Sequence, residues 1–322
     1  MPRRIKTTKP AHDLPADLLG FFRRFSDDDA CRAYLEARRW PDGPVCPHCD
    51  GGKAVYTITS PASRSGLYKC GACRRQFTVT VGTIFEGSHV PLSKWFAALY
   101  LMSSSKKGVS AHQLHRGLDL TYKTAWFLCH RIRHAMRTRA FKTRLAGTVE
   151  VDETYLGGRH PGKRGRGAAG KTIIFGMVKR GGAINARTVP DAKKRTLQPI
   201  IEQTVRKGSR VMSDDLSSYG GLAGRYRHGT VSHSRGYVAG KNIHVNTAES
   251  FFALLKRGIH GTFHHIRAHK ANMYCGEFGF RWNTRHLSDP ERFIEALTHT
   301  DGRLRWFFKP ALPSAVSSAG ER

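Results

Sequence analysis

Cys46-Pro-His-Cys49 and Cys70-Gly-Ala-Cys73 are two C-x2-C knuckles with 20 residues (50–69) between them. No other feature constrains the local fold as tightly. Each knuckle turns two thiolates to one side, and two knuckles complete the tetrahedral sulfur shell that Zn²⁺ favours. The surrounding segment, 41–90, holds Gly and Pro turns and short alternating runs, "AVYTITS" and "RQFTVTVGTIF", with little apolar side chain for a core of its own. The expectation is a zinc ribbon in which Cys46, Cys49, Cys70 and Cys73 bind a structural Zn²⁺ that contributes folding free energy. His48 is read as lying outside the shell, and the symmetric double pair argues against redox chemistry. Cys31, Cys129 and Cys275 sit in apolar or helical contexts and read as buried thiols. Seven cysteines, an odd number, suit a reducing compartment and metal binding better than disulfides.

The chain of 322 residues is long enough for several domains, and its 39% hydrophobic content is that of a globular protein. Lys and Arg number 54 against 24 Asp and Glu, a formal charge of +30. Such an excess favours a polyanionic partner through counterion release and steering, and double-stranded DNA is the expected one. The opening "MPRRIKTTKPAHDLP" lacks the apolar core of a signal peptide, and "WFAALYLM" is far too short to span a bilayer. The expectation is a cytoplasmic, nucleoid-associated protein without membrane contact.

Composition and periodicity divide the chain. Residues 1–15 read as a flexible arm. Residues 16–40 read as N-terminal helices, the second capped by Ser26. The ribbon occupies 41–90. Residues 91–142 read as a helical DNA-binding region: "PLSKWFAALYLMSSS", then "SAHQLHRGL" capped by Ser110, then "TYKTAWFLCHRIRHAMRTR" capped by Thr121. The tight turn at "RGLDL" gives this region helix-turn-helix grammar, and Lys123, Arg131, Arg133, Arg137 and Arg139 make its third helix basic.

From 143 to 300 the pattern is α/β. "GTVEVDETYLGG", "KTIIFGMVKR" and "AINARTV" read as strands, the last two joined by a Gly181-Gly182 hairpin turn. "DAKKRTLQPIIEQTVRKG" reads as a helix, "SRVMSDD" as a short strand, "TVSHSRGYV" as a weaker one, and a helix follows. Residues 301–322 read as a loose tail.

In so basic a chain the well-placed carboxylates stand out. Strand alternation turns Val149 and Val151 one way and Glu150 and Asp152 the other. Asp214 ends a later strand, and Glu249 opens a helix. An ordered set of acids on a strand, a strand end and a helix suits a site for hard divalent ions, which prefer carboxylate oxygen to thiolate. Each acid also has a plain structural reading. Asp152 can be a surface charge and Asp214 a turn former. Asn246-Thr247-Ala248-Glu249 has the form of a capping box. The Gly-rich basic stretch 157–172 reads as a connector that orders on DNA. His260, His264 and His265 read as polar or phosphate contacts, with a second zinc site as the alternative. Arg281, Trp282 and Arg285 fit either core packing or DNA stacking.

The motifs "CPHC" with "CGAC", "GTIFEGSHVPLSKWF", "VEVDETYLGG", "SDDLSSYGGL", "HVNTAESFFALLKRGIHGTFHH" and "EFGFRWNTR" occur in that order over about residues 15–290. With them the chain resembles the DDE transposases of bacterial insertion sequences, in the group whose catalytic domain follows a zinc ribbon. The resemblance implies a ribonuclease-H-like mixed sheet (α/β, α+β overall) with a two-metal Mg²⁺ or Mn²⁺ site. It implies Asp152, Asp214 and Glu249 as metal-binding catalytic acids, with Tyr219 marking the second motif. Lys256 lies seven residues after Glu249, nearly on the same helical face, and is implied as a contact to the phosphate backbone. The activity implied is cleavage and joining of DNA ends by a homo-oligomer. The alternatives are a zinc-ribbon DNA-binding regulator with a non-catalytic α/β domain, and a ribonuclease-H-type nuclease without strand transfer.

Overall fold

The protein was analysed as a computed structural model, which describes residues 14–49, 54–137, 144–157, 170–232 and 242–302. In the knuckle segment, β1 (Val55–Thr57), β2 (Tyr68–Cys70) and β3 (Gln76–Phe77) form a small antiparallel sheet in that order. The alternating run after Gln76 does not continue as strand. It breaks into successive turns, in which Val81 N–H donates to Thr78 O and Thr83 N–H to Thr80 O, and Gly82 takes φ +77°. Its apolar residues Val79, Ile84 and Phe85 bury even so.

Helices α1 (Leu18–Arg24) and α2 (Asp28–Arg39) precede the ribbon. Asp27, not Ser26, caps α2, its Oδ1 accepting from Ala30 N–H at 2.8 Å. A carboxylate one residue later is the stronger acceptor and adds favourable charge at the helix start. Helices α3 (Leu92–Ser104), α4 (Ala111–Gly117) and α5 (Tyr122–Arg137) follow. Ser110 caps α4 and Thr121 Oγ1 accepts from Thr124 N–H at the start of α5. Asp119, at φ +46°, makes the tight turn between them.

The second layer is a five-stranded sheet. Strands β4 (Thr148–Leu156), β5 (Thr172–Lys179) and β6 (Ile184–Val189) are antiparallel neighbours. After α6 (Lys194–Thr204) come β7 (Arg210–Asp214) and β8 (Arg227–Val231), parallel to β4 and to each other. The order β6-β5-β4-β7-β8 makes β4 central, and the fold is ribonuclease-H-like. The hairpin turn forms at Gly181, φ +66°, with Lys179 and Ala183 paired across it. Strand β8 lies earlier than the expected "TVSHSRGYV" run; of that run, residues 233–238 lie outside the described residues, as do 158–169 of the Gly-rich stretch and 303–322 of the tail. Asp301 and Gly302 themselves are tied to the turn at Gly82 and Thr83.

Alternation along β4 sorts the two faces. Val149 and Val151 pack under α6 with Leu197, Ile201 and Tyr219. On the other face, Ile174 and Val178 meet Ala248, Phe251, Phe252 and Leu255 of α7 (Asn246–Gly258), apolar positions at i, i+3, i+4 and i+7. The chain then returns to its beginning. Helices α8 (Ala271–Asn283) and α9 (Asp289–Leu297) place Phe280, Phe293 and Leu297 in one core with Phe21, Trp95, Phe96 and Tyr100. The Phe293 ring lies 4.9 Å from Phe21 and 5.3 Å from Phe96.

Candidate active site and metal centre

The two knuckles bring four sulfurs together. Cys46 Sγ lies 3.7 Å from Cys73 Sγ, and Cys49 Sγ lies 3.7 Å from Cys70 Sγ. All four donor atoms lie within 4.8 Å of one another. Zn–S bonds of about 2.3 Å in a tetrahedron put neighbouring sulfurs about 3.8 Å apart, so the cage fits Zn²⁺. Backbone N–H groups, first that of Cys73 and then that of Ala72, hold the Cys70 thiol down at about 7, so a thiolate forms readily. His48 is exposed and contributes only its backbone N–H, to Cys46 Sγ at 3.4 Å. The cysteines are the one group of three or more possible ligands drawn this close among the described residues. His260, His264 and His265, all exposed, form no such group.

Asp152, Asp214 and Glu249 lie near the α7 face of the sheet, the latter two within electrostatic reach of Asp152. Strands β4 and β7 pair Val149 with Val211 and Glu150 with Met212. The same register carried two residues on sets Asp152 beside Asp214, the last residue of β7. On its other side Asp152 pairs with Gly176 of β5. A Cβ at Gly176 would stand 2.8 Å from Phe252 Cζ. Glycine there lets α7 lie close on the sheet beside Asp152, and Glu249 sits one turn before Phe252.

Electrostatics show how close the acids are. Burial pushes the Asp152 carboxyl up to about 8, reinforced by the charges of Glu153, Asp214 and Glu249. Asp152 Oδ1 accepts from Glu153 N–H at 2.8 Å, and Asp214 Oδ1 accepts from Leu216 N–H at 3.1 Å. The oxygens of the three acids do not all approach within the 4.8 Å that the thiols do. A pair of ions about 3.5–4 Å from each other needs a wider cage than one ion.

This raised carboxyl has a thermodynamic consequence. Between its unfolded value, near 3.8, and about 8, the folded chain binds more protons at Asp152 than the unfolded chain does. Stability of the metal-free protein therefore falls as pH rises through that window. Urea unfolding of the zinc-loaded protein in buffer without Mg²⁺ or Mn²⁺ should show wild type losing on the order of 1 kcal/mol more than D152N between pH 5 and pH 8. Equal losses would contradict the placement.

Several neighbours take roles that local sequence does not announce. Glu153 faces away from Asp152, as alternation predicts, and accepts from the buried Tyr219 hydroxyl at 2.7 Å. Asp215 accepts from Ser232 Oγ at 2.7 Å. The capping box at 246–249 is not formed. Val245 is the N-cap, with no side-chain bond of its own. The acceptor comes instead from β4: Glu150, fully buried, accepts from Thr247 N–H at 2.7 Å, Ala248 N–H at 3.0 Å and Thr247 Oγ1 at 2.9 Å. Lys256 is half-buried on α7.

The third helix of the 91–142 region is less exposed in its basic residues than the sequence suggests. Arg133 is buried against Glu277 of α8 at 2.6 Å, and Glu277 also receives Arg281 at 2.6 Å. These two guanidinium groups hold the Glu277 carboxyl below its ordinary value despite its burial. Arg131 donates to Glu86 O at 2.8 Å, Arg139 lies outside the described residues, and Lys123 is exposed. Arg281 is buried and Trp282 half-buried in the packing of α8, while Arg285 is exposed. Trp282 Nε1 donates to Gly182 O at 3.2 Å, its ring lies 5.6 Å from Phe251, and Arg285 stacks over it at 4.8 Å.

Comparison with known proteins agrees with this layout. Residues 144–283 match the family model described as the ISXO2-like transposase domain, and residues 26–76 match a transposase zinc-ribbon domain. The first span contains Asp152, Asp214, Glu249 and Lys256; the second contains all four zinc-site cysteines. A Halobacterium salinarum protein described as an uncharacterized protein in transposable element ISH50 is 30% identical over 240 residues, covering 68% of this chain and 79% of that protein. No helix among the described residues is long and apolar enough to cross a membrane. With a four-thiolate ribbon ahead of a ribonuclease-H-like sheet and a match over both parts, the chain belongs to the ISXO2-like transposase family.

Proposed function

We propose that this transposase cuts DNA at the ends of an insertion sequence and joins the freed 3′ hydroxyl to target DNA. Asp152, Asp214 and Glu249 would hold two Mg²⁺ or Mn²⁺ ions. The observation that carries this reading is the pairing of β4 with β7, whose register sets Asp152 beside Asp214, under the helix that bears Glu249; burial and the charges of Glu153, Asp214 and Glu249 push the Asp152 carboxyl up. Buried carboxylates that repel one another form a donor set suited to hard cations. When bound, two such ions activate an attacking hydroxyl and stabilise the leaving oxygen of a phosphodiester.

The chain's own residues do the rest. Asp152 and Asp214, on neighbouring strands, fix two of the acids on rigid backbone. Glu249 is delivered by α7. Lys256, two turns later, is suited to a DNA phosphate. The ribbon (41–90) and the helical region (91–142) bind the element ends, and 143–300 performs the chemistry. The net charge of +30 supplies the attraction for DNA. Two ends must be brought together, so the working form is a homo-oligomer. The protein acts in the cytoplasm, at the nucleoid.

The test is incubation of the full chain with DNA carrying the element's inverted repeats, a supercoiled target and Mn²⁺. Joined products are expected. Cut ends without joined products would reduce the protein to a nuclease, and binding without cutting would make it a regulator.

A further inference from the structure

We infer that Glu150 and Arg180 form a clamp that sets the position of Glu249 relative to Asp152, making both of them positioning residues for the proposed metal site. The inference rests on the reading of Asp152, Asp214 and Glu249 given above.

Glu150 lies two residues before Asp152 on β4, on the same face and about 6.8 Å along the strand. Its carboxylate has no solvent exposure. Burying a charge is costly unless it is fully bonded, and Glu150 is. Beyond the three donors from Thr247 and Ala248, it accepts from Arg180 Nε at 2.6 Å. Among the described residues the other titratable group against it is His244, whose Nδ1 stands 3.2 Å from Oε1. Arg180, at the turn after β5, uses its remaining nitrogens on the chain that leads into α7. It donates to Asn242 O at 2.8 Å and to His244 O at 2.9 Å. The approach to the helix and the first helical turn are thus both bonded to the paired strands β4 and β5 and the turn that follows β5.

Helix stability alone does not call for this arrangement. A local Asn or Ser cap would satisfy the same amides without burying a charge. The distinct consequence of a carboxylate on β4 is geometric. The amides it grips belong to the two residues immediately before Glu249. The strand that carries one proposed metal ligand therefore holds the helix turn that carries another. Hydrogen bonds to two successive amides and an ion pair from the side leave the turn little freedom to slide or rotate.

Glu150→Gln keeps the shape and removes the charge, and it sets an NH2 donor against either the Arg180 Nε–H or the Thr247 and Ala248 amides, none of which can accept. In the zinc-loaded full chain without Mn²⁺ or Mg²⁺, amide hydrogen exchange at Thr247 and Ala248 should quicken roughly tenfold or more, with exchange along β4 and zinc content unchanged. In cleavage assays the Mn²⁺ concentration for half-maximal rate should rise roughly 10–100-fold, while the maximal rate at saturating Mn²⁺ recovers to within several-fold of wild type. Thr247→Val, which removes one donor and leaves the ion pair, should shift both readouts in the same direction by less. It carries the test if Glu150→Gln does not fold.

Unchanged exchange at Thr247 and Ala248 would overturn the clamp. Faster exchange with an unchanged Mn²⁺ dependence would overturn its role in positioning. An equal fractional loss of rate at every Mn²⁺ concentration would make Glu150 merely structural, which also overturns the inference. If Glu249→Ala cleaves like wild type, the metal-site reading itself fails, and the exchange measured without Mn²⁺ or Mg²⁺ still judges the clamp separately.

Discussion

Alanine at Asp152, Asp214 or Glu249 should lower metal-dependent DNA cleavage by roughly a thousandfold or more, about 4 kcal/mol of transition-state stabilisation. DNA binding should survive, because each change removes a negative charge from a chain that already carries +30. The three losses should not multiply, since the residues act as one cage. Asp152 is expected to be the most sensitive. It lies on the central strand, between Gly176 of β5 and the end of β7. Gel-based cleavage of labelled element ends, with a binding titration alongside, measures both quantities. Wild-type cleavage by all three variants would remove the acids from the chemistry.

The second large effect lies at the other end of the chain. Removing zinc with a chelator, or replacing Cys70 by serine, should unfold the ribbon. Structural zinc sites of this kind contribute about 10–16 kcal/mol to folding, and β1 to β3 offer eight residues of strand in its place. Cys46, Cys70 and Phe77 belong to the same core as Trp40, Trp95 and Phe96, so damage should spread to the neighbouring helices. The sheet should remain, because the two clusters that flank it draw no residue from the ribbon. Limited proteolysis should therefore cut the chain within 41–90 and leave a resistant fragment from the 144–302 region, with DNA affinity reduced. A ribbon that stays protease-resistant without zinc would contradict this account.

How much of this was legible in the sequence depends on how local the determining interactions are. The zinc site is set by two tight knuckles, and their spacing was enough. The order of strands and helices from β4 to α7 followed from periodicity, and alternation along β4 correctly turned Val149 and Val151 away from Glu150 and Asp152. The proposal that the acids form one set leans on family resemblance, because Asp152, Asp214 and Glu249 each have a sound local alternative.

What escaped was long-range. The cap of α7 comes from Glu150, 97 residues upstream, and no local pattern distinguishes it from the capping box that Asn246 and Glu249 would have made. Arg133 finds Glu277 at a separation of 144 residues. A signal for its burial was present: Arg133 borders the apolar stripe of Ala125, Leu128, Cys129, Ile132 and Met136 on α5. Counting basic residues along that helix concealed it, because the count ignores which face each one occupies. The β3 region misled in the opposite sense. Alternation there predicted strand, but Gly82 and the Thr-rich turns bury the same apolar residues without one.

The most direct measurement is the anomalous scattering of Mn²⁺ soaked into crystals of the full chain. The account predicts manganese between Asp152, Asp214 and Glu249, lost on Glu249→Ala while zinc remains at Cys46, Cys49, Cys70 and Cys73. A full zinc site with no manganese among the three carboxylates, at concentrations that support cleavage, would contradict it.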